Sequence, residues 1–308
     1  MSPVSTPRTA PPQRLVGARA ADAGDWLAAL PDLVDEITRR WELTPERVVE
    51  PGGRTSMTVL VRTADGEPAA LKLCAPVPGA EATLEDAALR RWDGFGAVRS
   101  LRCAPDAGAL LLERLHGRTS LRSLPEAKAF LESLETARRL WVDPGPGHPF
   151  PSVAERTAGQ AALLRSAAPP EVTPLVEAAL EAREALLADG SAAGAERLLL
   201  HGDFRQGAVL AGDPERAPWL AVGPEPVVGE RAYDLARLVR DRLHDLVASA
   251  GAAAVTRRRL TRLADAIEVE QERLRGWTLF RAVASGARAA DAGRRSEAEL
   301  LWEFASWL

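Results

Sequence analysis

The sequence is poor in several kinds of residue, and each shortage excludes a class of protein. Two cysteines occur in 308 residues, Cys74 and Cys103, without a Cys-x-x-Cys spacing, so neither a disulfide framework nor a common zinc site is expected. The formal net charge of -4 supplies no basic field for a polyanion, which excludes nucleic acid as a partner. The longest weakly apolar run, 246–255, is about half as long as a bilayer span, so no membrane contact is expected.

The N-terminal residues 1–13 lack the basic start and the apolar core of a signal peptide, and they are rich in proline, serine and threonine. We expect this segment to be disordered and the protein to be cytoplasmic. Hydrophobic residues make up 46% of the sequence and charged residues 27%. These proportions are ordinary for a globular protein, so the rest of the chain is expected to fold.

Lysine is scarce, because nearly all of the positive charge is arginine and the lysines are Lys72 and Lys128. A lysine that persists against such a bias indicates a position where the compact ammonium is needed, since arginine cannot reproduce it. Lys72 lies in the apolar run 69–73, which is predicted to be a strand. A phosphate-binding role and a plain surface lysine at a strand end are both open for this residue.

The first part of the chain has the patterns of a helix followed by an antiparallel sheet. Apolar residues recur at helical spacing over 26–41, which predicts an amphipathic helix. Short apolar runs separated by glycine-containing turns then predict a three-stranded meander, a helix and a further strand. In order, these elements are the strands 47–50, 57–62 and 69–73, the helix 81–92 and the strand 109–112.

The second part of the chain, from Leu121 onward, is dominated by helical patterns. They are interrupted by one β-like segment, 197–228, in which three short strands are predicted at 198–200, 208–210 and 219–222. A helix is expected over 234–246, with Asp234 as its N-cap because aspartate is a preferred residue there.

Two stretches resemble a known family of small-molecule kinases. The first, His201-Gly202-Asp203-Phe204-Arg205-Gln206-Gly207-Ala208-Val209-Leu210, resembles the kinase loop His-Gly-Asp-Leu-His-x-Gly-Asn-Val-Leu. The second, 221–234, resembles the segment that follows this loop in streptomycin 6-kinase-like and hydroxyurea-kinase-like proteins. The resemblance extends to 71–73, 89–99 and 111–115. The chain is identified as a member of the aminoglycoside/hydroxyurea phosphotransferase family.

This resemblance implies an α+β protein-kinase-like fold with two lobes. A small N-terminal antiparallel β-lobe, with its leading helix, would span residues 14–115. A larger, mainly helical C-terminal lobe would span 116–308 and contain the catalytic-loop segment 197–228. ATP is the implied cofactor, and the implied partner is a small hydroxylated substrate, with natural products among the candidates.

The resemblance also implies roles for particular side chains. Asp203 matches the catalytic base, which orients the attacking hydroxyl, and Lys72 matches the lysine that binds the nucleotide phosphates. Glu85 would form the ion pair that fixes Lys72, with Glu81 as the competing partner. Glu113 and Leu115 fall in a matching segment and are assigned to nucleotide binding. His201 and Asp234 are read as braces of the loop.

Two positions depart from the family pattern. Ala208 stands where an asparagine magnesium ligand belongs, and Gly223 stands where an aspartate ligand belongs. Neither side chain offers the oxygen that Mg²⁺ requires, so no metal-binding residue is assigned and Mg²⁺ is not expected to be positioned by the protein. Glu225 and Glu230 are the acids close enough in sequence to substitute. Losing one preorganised electrostatic group costs roughly 10²–10³ in rate.

Three functions therefore stay open. The chain could be an ATP-dependent O-phosphotransferase deficient in conventional magnesium-dependent transfer. It could be a pseudokinase that serves as a binding or scaffold subunit for a protein partner. It could also be a repurposed enzyme of natural-product biosynthesis that uses Asp203 as an acid or base without ATP.

Overall fold

A computed structural model describes residues 9–77, 81–189 and 196–308, which form two compact units. Unit 1 contains the described residues up to Arg118 together with Ala211–Leu220, and unit 2 contains Thr119–Leu210 and Ala221–Leu308. From the sequence, we expected all of 197–228 in the second lobe. In the structure, the middle of this segment belongs to unit 1. Within the N-terminal segment, residues 1–8 lie outside the described residues, 9–12 have no regular structure and Gln13 begins the first helix.

The regular elements follow one another without a long irregular connection in the described residues. The first unit holds α1 (Gln13–Arg19), α2 (Gly24–Arg40), β1 (Thr44–Val48), β2 (Ser56–Arg62), β3 (Pro68–Cys74), α3 (Ala82–Trp92), β4 (Ser100–Ala104) and β5 (Ala109–Glu113). The chain continues with β6 (His116–Ser120), α4 (Glu126–Leu140), α5 (Val153–Ala167), α6 (Thr173–Asp189), β7 (Leu198–Leu200), β8 (Val209–Ala211), β9 (Trp219–Ala221), β10 (Val227–Gly229), α7 (Arg231–Val239), α8 (Leu243–Val247), α9 (Ala252–Ile267), α10 (Gln271–Asp291) and α11 (Arg295–Ala305).

The sheet of unit 1 has five antiparallel strands in the order β1-β2-β3-β5-β4. The predicted meander β1-β2-β3 is present, and β5 lies beside β3. The sequence did not predict β4, whose pairing with β5 is irregular between Ser100 and Arg102. In the rest of the described chain, β7 pairs with β10, and a third sheet has the order β6-β8-β9.

The core of unit 1 lies on one face of this sheet. Side chains of β2 and β3 alternate between buried and less buried, because successive residues of a strand point to opposite faces. Val59 and Leu71 are fully buried in one cluster with Leu30 and Val34 of α2. Burial of each such side chain contributes about 1.5–3 kcal/mol. The alternation places Lys72 on the opposite face from this core.

The core of unit 2 is organised around α10, which contacts α5, α6, α7, α9 and α11. Trp277 and Phe280 are almost wholly buried, and Trp277 packs edge-on against Tyr233 of α7 with the ring centroids 5.2 Å apart. Gly286 lets α11 approach closely, since a Cβ there would lie 2.3 Å from the Trp302 Nε1 atom. Within the described residues, no helix is long and apolar enough to cross a bilayer.

The helix expected over 234–246 differs in the structure. It begins three residues earlier, at Arg231, with Glu230 in the N-cap position, so the N-cap prediction for Asp234 is wrong. It also ends at Val239, and a separate short helix begins at Leu243. Arg242 between them has a φ of 56°, a left-handed conformation that no continuous helix contains.

Candidate functional site

The loop that carries Asp203 follows the buried strand β7 and is held against the segment around Glu225. The backbone nitrogen of Glu225 donates to the carbonyl oxygen of His201 at 2.8 Å. Gly202 has a φ of 80°, and a Cβ at this position would lie 1.9 Å from the carbonyl oxygen of Glu225. Only glycine fits such a close backbone approach in this conformation.

Asp234 braces the start of this loop from inside α7. Its buried carboxylate accepts hydrogen bonds from the backbone nitrogens of His201 at 2.9 Å and Gly202 at 2.7 Å, and from Nε1 of Trp141 at 3.2 Å. Bonds from N–H groups to an ionised carboxylate are stronger than neutral ones. The side chain therefore fixes the loop, which is the role that the family resemblance implied.

His201 is a second brace. Its ring is buried, Nδ1 accepts from the backbone nitrogen of Asp203 at 3.3 Å, and Nε2 donates to the carbonyl oxygen of Val222 at 3.2 Å. Burial lowers the pKa of His201, so the ring is neutral with its proton on Nε2. Nε2 thus connects the loop with the segment that follows β9, and Nδ1 holds the backbone of Asp203 within the loop.

Both carboxylate oxygens of Asp203 are held by arginines. Nε of Arg237 donates to Oδ1 at 2.8 Å, and Nε of Arg205 donates to Oδ2 at 3.0 Å. Burial alone would raise the pKa of Asp203, but the charges of Arg237, Arg205 and Arg281 outweigh it and hold that pKa well below its ordinary value. Asp203 is therefore an ionised carboxylate that can accept a hydrogen bond from a hydroxyl but is a weak proton acceptor.

Arg205 is visible in the sequence as a departure from the family loop. Arg237 was not identified from the sequence as a residue of this site. A signal was present, because Arg237 follows Asp234 by three residues on one helix, and residues at this spacing share a face. Once Asp234 was read as a brace of the loop, Arg237 could have been placed beside the loop as well.

The two positions where metal ligands were expected offer no side-chain oxygen. Ala208 is buried, and its carbonyl oxygen accepts from the nitrogen of Val222 at 2.8 Å. Gly223 has a φ of 64°. Within residues 9–77, 81–189 and 196–308, no group of three or more His, Cys, Asp or Glu side chains could hold a metal ion.

The two acids considered as substitute ligands have different surroundings. Glu230 is bound through both oxygens, by Arg273 at 2.6 and 2.7 Å and by Nε1 of Trp277 at 2.7 Å, and its role as a substitute ligand stays a prediction. Glu225 is half-exposed and lies 3.6 Å from Arg156. Burial and the charge of Asp203 raise the pKa of Glu225, which places it in the electrostatic field of the loop.

In unit 1, the predicted ion pair between Lys72 and Glu85 is present. Nζ of Lys72 contacts Oε2 of Glu85, and the side chains are 13% and 4% exposed. Strand β3 lies between two hydrogen-bonded neighbours, which fixes the position of Lys72. Oε1 of Glu85 is buried without a hydrogen-bond partner among the described residues. The roles of both residues in nucleotide binding stay predictions.

Glu113 and Leu115 were also assigned to nucleotide binding. The carboxylate of Glu113 receives two bonds from Arg216, at 2.6 and 2.8 Å, and one from the backbone nitrogen of Arg99 at 2.9 Å. The carbonyl oxygen of Leu115 accepts from the nitrogen of Gly117 at 2.9 Å. The Glu113 side chain thus links segments of unit 1, and the nucleotide contacts of Glu113 and Leu115 stay predictions.

Comparison with known proteins places these features in a family. The sequence pattern of the aminoglycoside/hydroxyurea antibiotic resistance kinases matches residues 40–293. A streptomycin 6-kinase of Streptomyces glaucescens is 34% identical over 282 residues, which cover 88% of this chain and 87% of that protein. A hydroxyurea phosphotransferase of Kitasatospora aureofaciens is 37% identical over 267 residues, covering 84% and 73%.

The solved structures agree on the fold. An aminoglycoside phosphotransferase from Streptomyces rimosus, determined in complex with ADP and streptomycin, matches with a TM-score of 0.56 and 18% identity over 83% of this chain and 97% of that one. The expected protein-kinase-like α+β fold is therefore confirmed. Together with the match over 40–293, it follows that the chain belongs to the aminoglycoside/hydroxyurea antibiotic resistance kinase family.

Proposed function

We propose that this chain is an ATP-dependent O-phosphotransferase for a small hydroxylated molecule and that its conventional magnesium-dependent transfer is weak. One observation carries the proposal. The braced loop keeps Asp203 ionised beside two guanidinium groups, whereas Ala208 and Gly223 supply no ligand oxygen at the positions that the family uses for the metal.

Each residue has a defined part in this proposal. Lys72, fixed by Glu85, would bind the nucleotide phosphates, and the ADP complex of the Streptomyces rimosus relative supports ATP as the cofactor. Asp203 would orient the acceptor hydroxyl by accepting its hydrogen bond. Arg205 and Arg237 would place positive charge next to the transferred group, where positive charge stabilises the transition state of phosphoryl transfer.

Magnesium is treated separately, because the residues present do not fit it. In phosphoryl transfer the ion would neutralise the negative charge that develops on the phosphates. An alanine methyl group and a glycine cannot coordinate a hard cation. Magnesium that arrives with ATP would therefore not be anchored at these two positions, and no step of the proposed transfer is assigned to it.

A second function, a binding or scaffold subunit without transfer, is favoured by the same pair of arginines. With both oxygens engaged and a depressed pKa, Asp203 is a poor acceptor for the proton of the attacking hydroxyl. The same property counts against a repurposed enzyme that would use Asp203 as a general base without ATP, since efficient bases have a pKa near the working pH.

The experiment compares nucleotide binding with turnover. Melting temperatures are measured with ATP and Mg²⁺, with ATP and a chelator, and without nucleotide. A ligand that binds the native state raises the melting temperature. We expect equal stabilisation with and without Mg²⁺, and slow ADP release that Asp203→Asn abolishes. A rise of several degrees that requires Mg²⁺ would contradict the weak-metal proposal. Stabilisation by ATP without any Asp203-dependent ADP release would favour the binding subunit.

A further inference from the structure

Three arginines and a serine of unit 2 meet at one place beside the Asp203 loop. Arg281, Ser285 and Arg288 follow one another at spacings of four and three residues on α10, which puts them on one face of that helix. Arg240 adjoins the end of α7. We call Arg240, Arg281 and Arg288 the arginine cluster. Arg281 helps to lower the pKa of Asp203, whereas Arg240 and Arg288 have no part in the phosphotransfer chemistry described above.

Hydrogen bonds connect the arginine cluster through neutral oxygens. Nη2 of Arg240 and Nη2 of Arg288 both donate to Oγ of Ser285, at 2.9 and 3.3 Å. Arg281 donates to the carbonyl oxygens of Tyr233 at 2.8 Å and Gly202 at 2.5 Å. Within the part of the chain that the structure describes, no carboxylate lies within ion-pair distance of any member. One hydroxyl thus holds two guanidinium groups together although their charges repel.

Burying Arg240 costs more folding free energy than burying the other members of the cluster. It is 5% exposed, and its Nε and Nη1 atoms have no hydrogen-bond partner among the described residues. Burial lowers the pKa of Arg240 well below its usual range, with further lowering by the charges of Arg237, Arg281 and Arg288. A buried charge without a partner is strongly destabilising, and the described residues do not supply a group that would complete this site.

Arg288 differs from Arg240 in its exposure to solvent. Its side chain is exposed to solvent, and its bond to Ser285 is the longest in the cluster. Surrounding atoms nonetheless lower the pKa of Arg288 through burial, against the opposing charge of Glu225. An exposed guanidinium with one long bond can reorient towards a ligand, whereas the side chain of Arg240 is almost fully buried.

Arg281 sets the position of the cluster relative to the loop. Its guanidinium donates to the carbonyl oxygen of Gly202, the residue that precedes Asp203, and lies over the ring of Tyr233 at 4.2 Å from the centroid. Arg281 therefore ties α10 to the residue that precedes the carboxylate that would receive the acceptor hydroxyl.

We propose that Arg240, Arg288 and Ser285 bind an oxyanion of the acceptor, either a carboxylate or a phosphate or sulfate ester, while the acceptor hydroxyl faces Asp203. This inference rests on the proposed function and narrows it to hydroxylated anions. Guanidinium groups match such oxyanions, because their N–H groups form a fork that fits two oxygens. A polycationic aminoglycoside would instead be repelled by the cluster.

The experiment uses three sugars that share a ring and differ in charge: glucuronate, glucose and glucosamine. Binding to the full chain is measured by calorimetry and by melting temperature at constant ionic strength, with inorganic sulfate as a fourth probe. We expect stabilisation by glucuronate and sulfate that exceeds the effects of glucose and glucosamine. Arg288→Gln should weaken glucuronate binding about tenfold, as expected for loss of a hydrogen bond between charged groups.

Two further variants separate binding from folding. Arg258→Gln removes an exposed arginine of α9 in the same unit and should leave glucuronate binding unchanged. Arg240→Met removes the unpaired buried charge, so it should raise the melting temperature and still weaken glucuronate binding. A purely structural role for Arg240 would instead lower the melting temperature.

Four results decide the inference. It is overturned if glucuronate and sulfate stabilise no more than glucosamine, or if saturating ATP displaces glucuronate, which would assign the cluster to the nucleotide. Turnover of ATP with glucosamine and no anion binding would also overturn it, while the proposed function would stand. Arg288-dependent anion binding without ATP turnover would support the oxyanion site and contradict the proposed function.

Discussion

The candidate site residues of unit 1 and those of unit 2 differ in their balance of charge. In unit 1, one ammonium, Lys72, meets one carboxylate, Glu85, in a largely buried pair. In unit 2, Asp203 forms ion pairs with Arg205 and Arg237. The arginine cluster adds positive charge, and no carboxylate of the described residues lies within ion-pair distance of it. Positive and negative charges are equal in number in the first group, whereas positive charges outnumber negative charges in the second.

This difference shows where the chain departs from its family pattern. The lysine site is placed by the ladder of β2, β3 and β5, and its residue types match that pattern. The loop site keeps Asp203 and the buried brace Asp234. It has arginine at 205, where the family loop has histidine, and alanine and glycine at 208 and 223, where metal ligands were expected. The braces that build the loop are retained.

The largest expected effect tests those braces. Asp234→Ala removes a buried carboxylate that accepts three N–H bonds, and each donor left unsatisfied costs roughly 1–3 kcal/mol. We therefore expect the free energy of unfolding to fall by about 4 kcal/mol, measured by urea denaturation. Asp245→Ala on α8, where the side chain is exposed, is the matched control. Equal losses in the two variants would show that Asp234 is not a brace.

The next effect tests the balanced pair of unit 1. Lys72→Met leaves the carboxylate of Glu85 buried and unpaired, so we expect a loss of about 3 kcal/mol of stability. The buried pair makes a structural cost of this change unavoidable. Lys128→Met, at an exposed lysine of α4, should have no measurable effect on the melting temperature.

A second substitution sharpens that test. Lys72→Met combined with Glu85→Leu removes both charges, and replacing a buried pair by apolar side chains is often close to neutral. The double variant should therefore recover most of the stability lost by Lys72→Met. Nucleotide binding should stay weak in both variants if Lys72 contacts the phosphates. Recovery of ATP binding in the double variant would contradict that role.

A smaller effect is expected from Arg237→Gln in unit 2. It tests how positive charge beside Asp203 contributes to stability at different pH values. Arg237→Gln removes one bond to Asp203, and a hydrogen bond to a charged group is worth about 1.5–3 kcal/mol, so we expect a loss of about 2 kcal/mol at neutral pH. The folded pKa of Asp203 is depressed, so this stabilisation is complete above the unfolded value of about 3.9. It disappears as the pH falls below that value towards the folded pKa.

The measurement compares urea denaturation of wild type and Arg237→Gln across the acid range. The stability difference should shrink as the pH drops below about 4, and Arg258→Gln should show no such trend. A difference that is independent of pH would mean that Arg237 contributes packing rather than charge.

Periodic apolar residues made much of the fold predictable. The helix expected at 26–41 is α2, Gly24–Arg40, and the strand expected at 198–200 is β7. By contrast, β10 is three residues long and follows two prolines, so it offers no periodicity to recognise. Strand β4 was missed because its exposed polar residues give no clear alternation.

The candidate site was predictable where local motifs define it and not where distant helices complete it. Lys72, Glu85 and Asp203 stand in recognisable stretches. Arg237 contacts Asp203 across 34 positions of the chain and Arg281 contacts Gly202 across 79. An arginine in an arginine-rich sequence carries no distinguishing signal, so only the packing of α7 and α10 could reveal these contacts.

The smallest expected change in stability comes from restoring the metal ligands. Ala208→Asn with Gly223→Asp supplies both missing oxygens, and the φ of 64° at Gly223 makes the aspartate cost about 1 kcal/mol. Because both ligands act on one ion, we expect magnesium-dependent ATP binding in the double variant that exceeds the sum of the single variants. Calorimetric titration of ATP, with and without Mg²⁺, measures this in all four proteins. If the double variant responds to Mg²⁺ no more than wild type does, the positive charge around Asp203, and not the missing oxygens, prevents metal binding.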